Sequence, residues 1–191
     1  GSIMTELNRE QQVKLLRLAR LAIAGSLGID TGIVEPEFSE PVFSEKRGAF
    51  VTLHIKGNLR GCIGYIEGVK NIPDTIREMA LSSAFRDPRF RPLSKEEYAH
   101  IDIEISVLSP IEKVSDVNEI MVGRDGLIMT RGYNRGLLLP QVPVEQGWDR
   151  DTFLTHTCYK AGLPGDAWRK GGVIMEKFSA LVFSEKELDL V

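Results

Sequence analysis

A chain of 191 residues, 42% apolar and 27% charged, has the size and make-up of one globular domain or of two small subdomains. Its formal net charge of −3 gives no global attraction to nucleic acid or to an anionic membrane, and no apolar run is long enough to span a bilayer. Two cysteines, Cys62 and Cys158, make no disulfide framework, which together with the lack of a signal-peptide pattern fits a reducing, cytoplasmic setting.

Gly1-Ser2 reads as a cloning remnant; residues 1–3 are set aside and Met4 is taken as the start. Asn8 with Gln11 is a capping box that opens a helix. Leu15, Leu18, Ala19 and Ala22 share one face of it, Leu16 and Ile23 flank that face, and Gly25 and Gly28 end it. Residues 29–47, with Pro36 and Pro41, form a long connection. Gly48 to Lys56 reads as a strand, Gly57-Asn58 as a hairpin turn and Leu59 to Ile63 as the return strand.

This hairpin carries the most chemically loaded stretch, Leu59-Arg60-Gly61-Cys62-Ile63-Gly64. Alternation along a strand puts Arg60 and Cys62 on one face. A two-residue turn at Gly57-Asn58 would pair Ile55 with Arg60 and Leu53 with Cys62. Arg60 would then lie on the apolar face of Val51, Leu53 and Ile55. Either a bulge shifts the register, or that face lines a cleft that holds a charge. A nearby cation lowers a thiol's pKa and turns it into a nucleophile, and a guanidinium also grips carboxylates and phosphates. The alternative is that Cys62 is a small buried hydrophobe and Arg60 a surface cation.

Asn71 caps a second helix, with Pro73 in its first turn and Ile72, Ile76, Met79, Ala80 and Ser83 on one face, ending near Ala84. The next stretch, Phe85-Arg86-Asp87-Pro88-Arg89-Phe90-Arg91-Pro92, is kept irregular by two prolines and packs three arginines and two aromatics into eight residues. It reads either as an anion clamp beside Cys62 or as a loop anchored by its phenylalanines with Arg86 and Asp87 paired locally. Ser94 to Glu97 is a second capping box and predicts a short helix. Ile101, Ile103, Ile105 and Val107 alternate with Asp102, Glu104 and Ser106 in a half-buried strand. Glu104 and Ser106 face either a cleft or water.

Asp116 to Met121 reads as one or two helical turns and Gly123-Arg124-Asp125-Gly126 as a turn. Leu127 to Arg131 and Gly136 to Leu139 make a second hairpin, which the 140–143 segment stops. A third helix starts near Asp149 or Asp151. Phe153, Leu154, Thr157, Cys158 and Ala161 form its apolar face, and Gly162 ends it. His156 and Cys158 stand about 200° apart on that helix, so they do not chelate one metal together. Trp168 is expected to plug a seam between subdomains. Val173 to Phe183 is a closing strand, followed by a polar tail. There is no zinc signature, phosphate-binding loop, dinucleotide fingerprint or Gly-x-Ser-x-Gly elbow, so no metal or cofactor is expected; the acidic balance argues against nucleic acid.

The motifs Arg47-Gly48-Ala49-Phe50-Val51, Leu59 to Gly64, Ala84 to Phe90, Ile103 to Leu108, Gly123 to Leu127 and Gly136 to Val142 together resemble the AMMECR family, and the block Trp148 to Leu163 resembles its prokaryotic AmmeMemoRadiSam protein A branch. The resemblance covers most of the chain, as a single domain over 4–191. It implies an α+β fold of two packed subdomains, with antiparallel or mixed sheet flanked by helices. It also implies association with a Memo-like protein and a radical SAM protein, and no settled activity. Two functional readings follow. In the first, the chain is a cysteine-dependent enzyme or enzyme component acting on a small anionic substrate. Cys62 is the nucleophile or redox thiol, Arg60 activates it or binds the anion, His156 carries a proton, and Arg86, Asp87, Arg89, Glu104 and Ser106 line the cleft. In the second, it is a non-catalytic module whose two arginine motifs recognise a protein or an anion, with Cys62 packed beneath. A homodimer is compatible with both.

Overall fold

A computed structural model describes residues 6–191; the remnant at 1–3 and the start at Met4 lie outside the described residues. The described α-helices are α1 (Arg9–Leu27), α2 (Ile72–Phe85), α3 (Lys95–Tyr98), α4 (Gln141–Gln146), α5 (Arg150–Lys160) and α6 (Ala167–Lys170), with short 3-10 turns at Pro41–Ser44 and Val117–Glu119. The strands are β1 (Ala49–Ile55), β2 (Asn58–Tyr65), β3 (Ile101–Leu108), β4 (Glu112–Lys113), β5 (Asp125–Arg131), β6 (Asn134–Leu138) and β7 (Ile174–Ser184). The fold is α+β, and the strand registers among the described residues are antiparallel.

The chain divides into two compact units. One holds the described residues up to Leu108 together with Leu181–Val191, and the other is Ser109–Ala180. In the first unit the strand order is β2-β1-β3, with the C-terminal end of β7 beside β3. α1 and α2 cover one face of this sheet. Leu15, Leu16, Ala19 and Ile23 of α1 and Ile72, Ile76, Met79 and Ala80 of α2 meet Val51 and Leu53 of β1 and Ile103 and Ile105 of β3 in one core. The alternation read from the sequence is the cause, since Ala49, Val51 and Leu53 of β1 and Ile101, Ile103, Ile105 and Val107 of β3 are buried. A buried ion pair closes this unit. Arg20 on α1 donates to both carboxylate oxygens of Glu185 (2.9 and 2.6 Å) and to the carbonyls of Tyr98 and Ile101, while the Ile103 N–H also donates to Glu185. Such a pair persists because its donors and acceptors are satisfied.

In the second unit β5 lies between β6 and β7, with β4 on the other side of β7. α5 packs Phe153, Leu154 and Cys158 onto Leu127 and Met129. Trp168, expected in a seam between subdomains, packs instead against this unit's own core, with its indole N–H donating to Thr155 (3.3 Å).

Both capping boxes form as read, at Asn8/Gln11 and at Ser94/Glu97. α1 runs through Gly25 and ends at left-handed Gly28, so only the second glycine is a stop. Three boundaries differ from the sequence reading. The first hairpin turns at Lys56-Gly57, both with positive φ (52° and 78°), and Asn58 already belongs to β2. Asp125 and Gly126 lie in β5, and the turn before it is closed by the Arg124 and Asp125 N–H groups on the Met121 carbonyl. The stretch 140–143 ends β6 but opens α4, because a proline in a first helical turn gives up no intrahelical hydrogen bond.

Candidate functional site

The β1–β2 hairpin sets the site. Continuing from the Lys56-Gly57 turn, Ile55 pairs with Asn58 and His54 with Leu59, but Leu53 pairs with Gly61. Arg60 is therefore the extra residue of a bulge. An unbulged ladder would put Cys62 opposite Val51 on the core face; the bulge puts it opposite Thr52 on the other. The bulge thus resolves the oddity of an arginine on an apolar face, and it is the first of the two alternatives left open by the sequence. Gly61 falls on the core side, where a Cβ would run into the backbone carbonyl of Ser83 on α2. Ser83 uses this closeness. Its hydroxyl donates to the Val51 carbonyl (2.6 Å) and accepts from the Ile63 N–H (3.0 Å), tying α2 to both strands.

Cys62, Thr52 and Glu104 form a row across β2, β1 and β3. The Thr52 hydroxyl donates to Cys62 Sγ at 3.2 Å. The thiol is half-buried, and burial pushes its pKa above the ordinary value. The Thr52 hydrogen bond and the Arg89 charge oppose that shift, while Asp87 and Glu104 add to it. The Arg89 guanidinium also reaches the Cys62 backbone, its Nη2 donating to the Cys62 carbonyl at 3.4 Å. Ser106 lies two residues beyond Glu104, opposite Phe50.

The loop after α2 folds over the free edge of β2. Asp87 is buried and accepts from the Cys62 N–H (3.0 Å), the Arg89 N–H (3.1 Å) and the Arg89 guanidinium (3.0 and 2.8 Å). These donors hold its carboxyl far below the usual carboxylate range, the Arg89 hydrogen bond most of all. Asp87 is thus a clamp on the strand and not a ligand-facing group. Arg86 caps α2 with its N–H on the Ser82 carbonyl, and its side chain points to solvent outside the pocket described next.

Arg60 leaves the strand toward α3. Its Nε and Nη2 grip Glu97 in a two-point pair (2.7 and 3.1 Å), and Nη2 also donates to the Arg91 carbonyl (2.7 Å). Arg60 and the capping contacts of Ser94 lower the Glu97 pKa to about 2. The Arg60 side chain is only 12% exposed, and its Nη1 is buried without an acceptor among the described residues. The guanidinium carbons of Arg60 and Arg89 each lie 5.5 Å from the centre of the Phe90 ring. Arg60, Arg89, Phe90, Arg91, Pro92 and Glu97, with Ser94, line an open pocket of about 600 Å³.

His156 belongs to the second unit. There its ring stacks on Trp148 (centroids 4.0 Å apart, 11° between planes) and meets Tyr159 edge-on at 5.5 Å. Cys158 is fully buried in the same unit's core, and burial raises its pKa. Among the described residues no group of three or more His, Cys, Asp or Glu side chains is placed to hold a metal ion. Sequence reasoning missed Thr52, which follows from register alone, and the second role of Glu97. The capping-box signal was legible at Glu97, but the same carboxylate also answers Arg60, 37 residues earlier.

A family model described as AMMECR1 matches residues 16–183 of this chain. The chain belongs to the AMMECR1 family. Among its relatives, a protein of Methanothermobacter thermautotrophicus is 46% identical over 185 residues, covering 94% of this chain and 96% of that protein. Protein MJ0810 of Methanocaldococcus jannaschii is 45% identical, covering 96% and 94%. The crystal structure of the uncharacterized protein PH0010 from Pyrococcus horikoshii matches with a TM-score of 0.78 at 43% identity, over 89% of each chain. This likeness extends to the α+β fold. No helix among the described residues is long and apolar enough to cross a membrane.

Proposed function

We propose that this AMMECR1-family chain is an anion-recognition module whose two arginine motifs, at Arg60 and at Arg89 and Arg91, form the binding surface. The observation that carries this reading is the convergence of three guanidiniums, those of Arg60, Arg89 and Arg91, on one open pocket, with the Arg91 side chain exposed and unpaired among the described residues. The cysteine-dependent enzyme reading has less support. Burial raises the Cys62 pKa, Arg60 is committed to Glu97, and the His156 ring is engaged by Trp148 and Tyr159. A cytoplasmic setting, and work in company with a Memo-like and a radical SAM protein, remain part of the proposal; the support for those partners is the resemblance alone.

The test is calorimetry of the whole chain against a panel of small carboxylates and phosphates. At least one anion is expected to bind the wild type and Cys62→Ser alike and to bind Arg91→Ala about tenfold or more weakly, as for loss of one hydrogen bond to a charged group. Loss of binding in Cys62→Ser with retention in Arg91→Ala would return the thiol to the centre.

A further inference from the structure

The three arginines of this pocket do not offer the same donors. Arg60 spends Nε and Nη2 on Glu97. Arg89 spends the same two nitrogens on Asp87. Each of these two therefore has its bidentate edge filled by a protein carboxylate. The Arg91 side chain is exposed and makes no hydrogen bond or ion pair among the described residues, so its whole fork is free. Three guanidiniums set against two carboxylates leave a single net positive charge. Phe90, flanked by two guanidiniums, and Pro92 supply the apolar part of the wall.

We infer, resting on the anion-recognition reading, that the ligand is a singly charged carboxylate carried on a flat, apolar body, and not a phosphate monoester. The fit is one of number and shape. One open guanidinium fork, that of Arg91, matches one carboxylate through two parallel hydrogen bonds. A phosphate monoester brings close to two negative charges and three acceptor oxygens near neutral pH. Two of the three forks that would answer it are already closed by Glu97 and Asp87. The apolar body of the ligand lies along Phe90 and Pro92, where a ring is favoured by burial and, over its negative face, by the neighbouring guanidinium charges. Glu97 shows that Arg60 already holds a carboxylate in this environment, and its pKa of about 2 keeps it ionised across the physiological range.

The experiment is a nuclear magnetic resonance titration of the full chain, following the arginine Nε–H and Phe90 signals, with phenylacetate, acetate and phenyl phosphate as probes. Phenylacetate is expected to perturb the Arg60 Nε–H and Phe90 signals and to bind about tenfold or more tightly than either acetate or phenyl phosphate, the apolar ring and the matched charge each being worth that much. Arg91→Ala, an exposed substitution that leaves the core untouched, is expected to weaken phenylacetate about tenfold. Tighter binding of phenyl phosphate overturns the ligand class and leaves the anion pocket standing. Acetate binding as tightly as phenylacetate overturns the apolar body. Silence from all three probes overturns the class and the anion-recognition reading together.

Discussion

Each unit of the molecule contains an aspartate clamped by a nearby arginine, and the two clamps differ in what surrounds them. In the first unit Asp87 takes the Arg89 fork and the Cys62 N–H. In the second, Asp125 takes the Arg124 fork (2.9 and 2.8 Å) and the Met121 N–H. In both the aspartate is buried and the arginine about half exposed. Each unit also pairs a strand glycine with a phenylalanine across the ladder, Gly64 with Phe50 and Gly126 with Phe178, with the ring where a Cβ would go. An Arg–Asp motif is therefore a way to pin a backbone and is not in itself a site. The clamp in the first unit differs because Arg89 also borders a pocket with Arg60, Phe90 and Arg91, and because the strand it pins carries a thiol.

The largest expected effect separates the two units by what a new methyl group would meet. Gly61→Ala drives a Cβ into the backbone of α2, whereas the atoms nearest to a Cβ at Gly126 belong to the outer edge of the Phe178 ring. Gly61→Ala is expected to cost about 3 kcal/mol or more and Gly126→Ala about 1, near the upper and lower ends of typical overpacking penalties. Chemical denaturation of both variants checks this, and equal losses would mean that α2 yields freely.

Next come the clamps themselves. Asp87→Asn and Asp125→Asn should each lose about 1–3 kcal/mol, because each takes the charged acceptor from a buried set of hydrogen bonds. Only Asp87→Asn should also speed Cys62 alkylation, since it removes a negative charge beside the thiol and frees the Arg89 charge to act on it. Alkylation of Cys158 in Asp125→Asn should stay slow. If Cys62 in Asp87→Asn stays equally slow, Asp87 has no hold on the thiol.

Acid titration is a third discriminator. Asp87 and Glu97 have folded pKa values below those of the unfolded chain, so their stabilisation is complete above about pH 4–5 and is lost as pH falls through their folded values. Asp87→Asn should flatten the acid limb of the stability curve. Glu97→Gln should flatten it less, because Glu97 is about one-third exposed and solvent screens its pair. Stability curves from pH 2 to 7 decide this, and a larger effect from Glu97 would reverse the ranking.

Much of the fold was legible because its signals are local. Asn8, Asn71, Ser94 and Asp149 all cap the helices expected of them, and the Ile101–Val107 alternation is a strand half-buried as read. The site was legible as residues but not as geometry. The bulge at Arg60 goes with a close approach of Gly61 to Ser83, 22 residues away, and no local pattern announces it. One residue of slip turned Cys62 from the core face to the Thr52 row. Long-range pairing also gave Arg60 to Glu97 and Arg89 to the Cys62 strand, where adjacency in sequence suggested Arg60 for Cys62.

The most direct measurement is the pH dependence of Cys62 alkylation, read by peptide mass spectrometry in the wild type, Arg60→Met and Arg89→Met, with Cys158 as internal reference. A midpoint above the ordinary thiol value of about 8.5, unmoved by Arg60→Met and raised further by Arg89→Met, is the predicted result, and it leaves the thiol unactivated, as the anion-recognition reading requires. A midpoint near or below neutral that rises in Arg60→Met would contradict the account, because it would make Cys62 an activated thiolate with Arg60 as its activating cation.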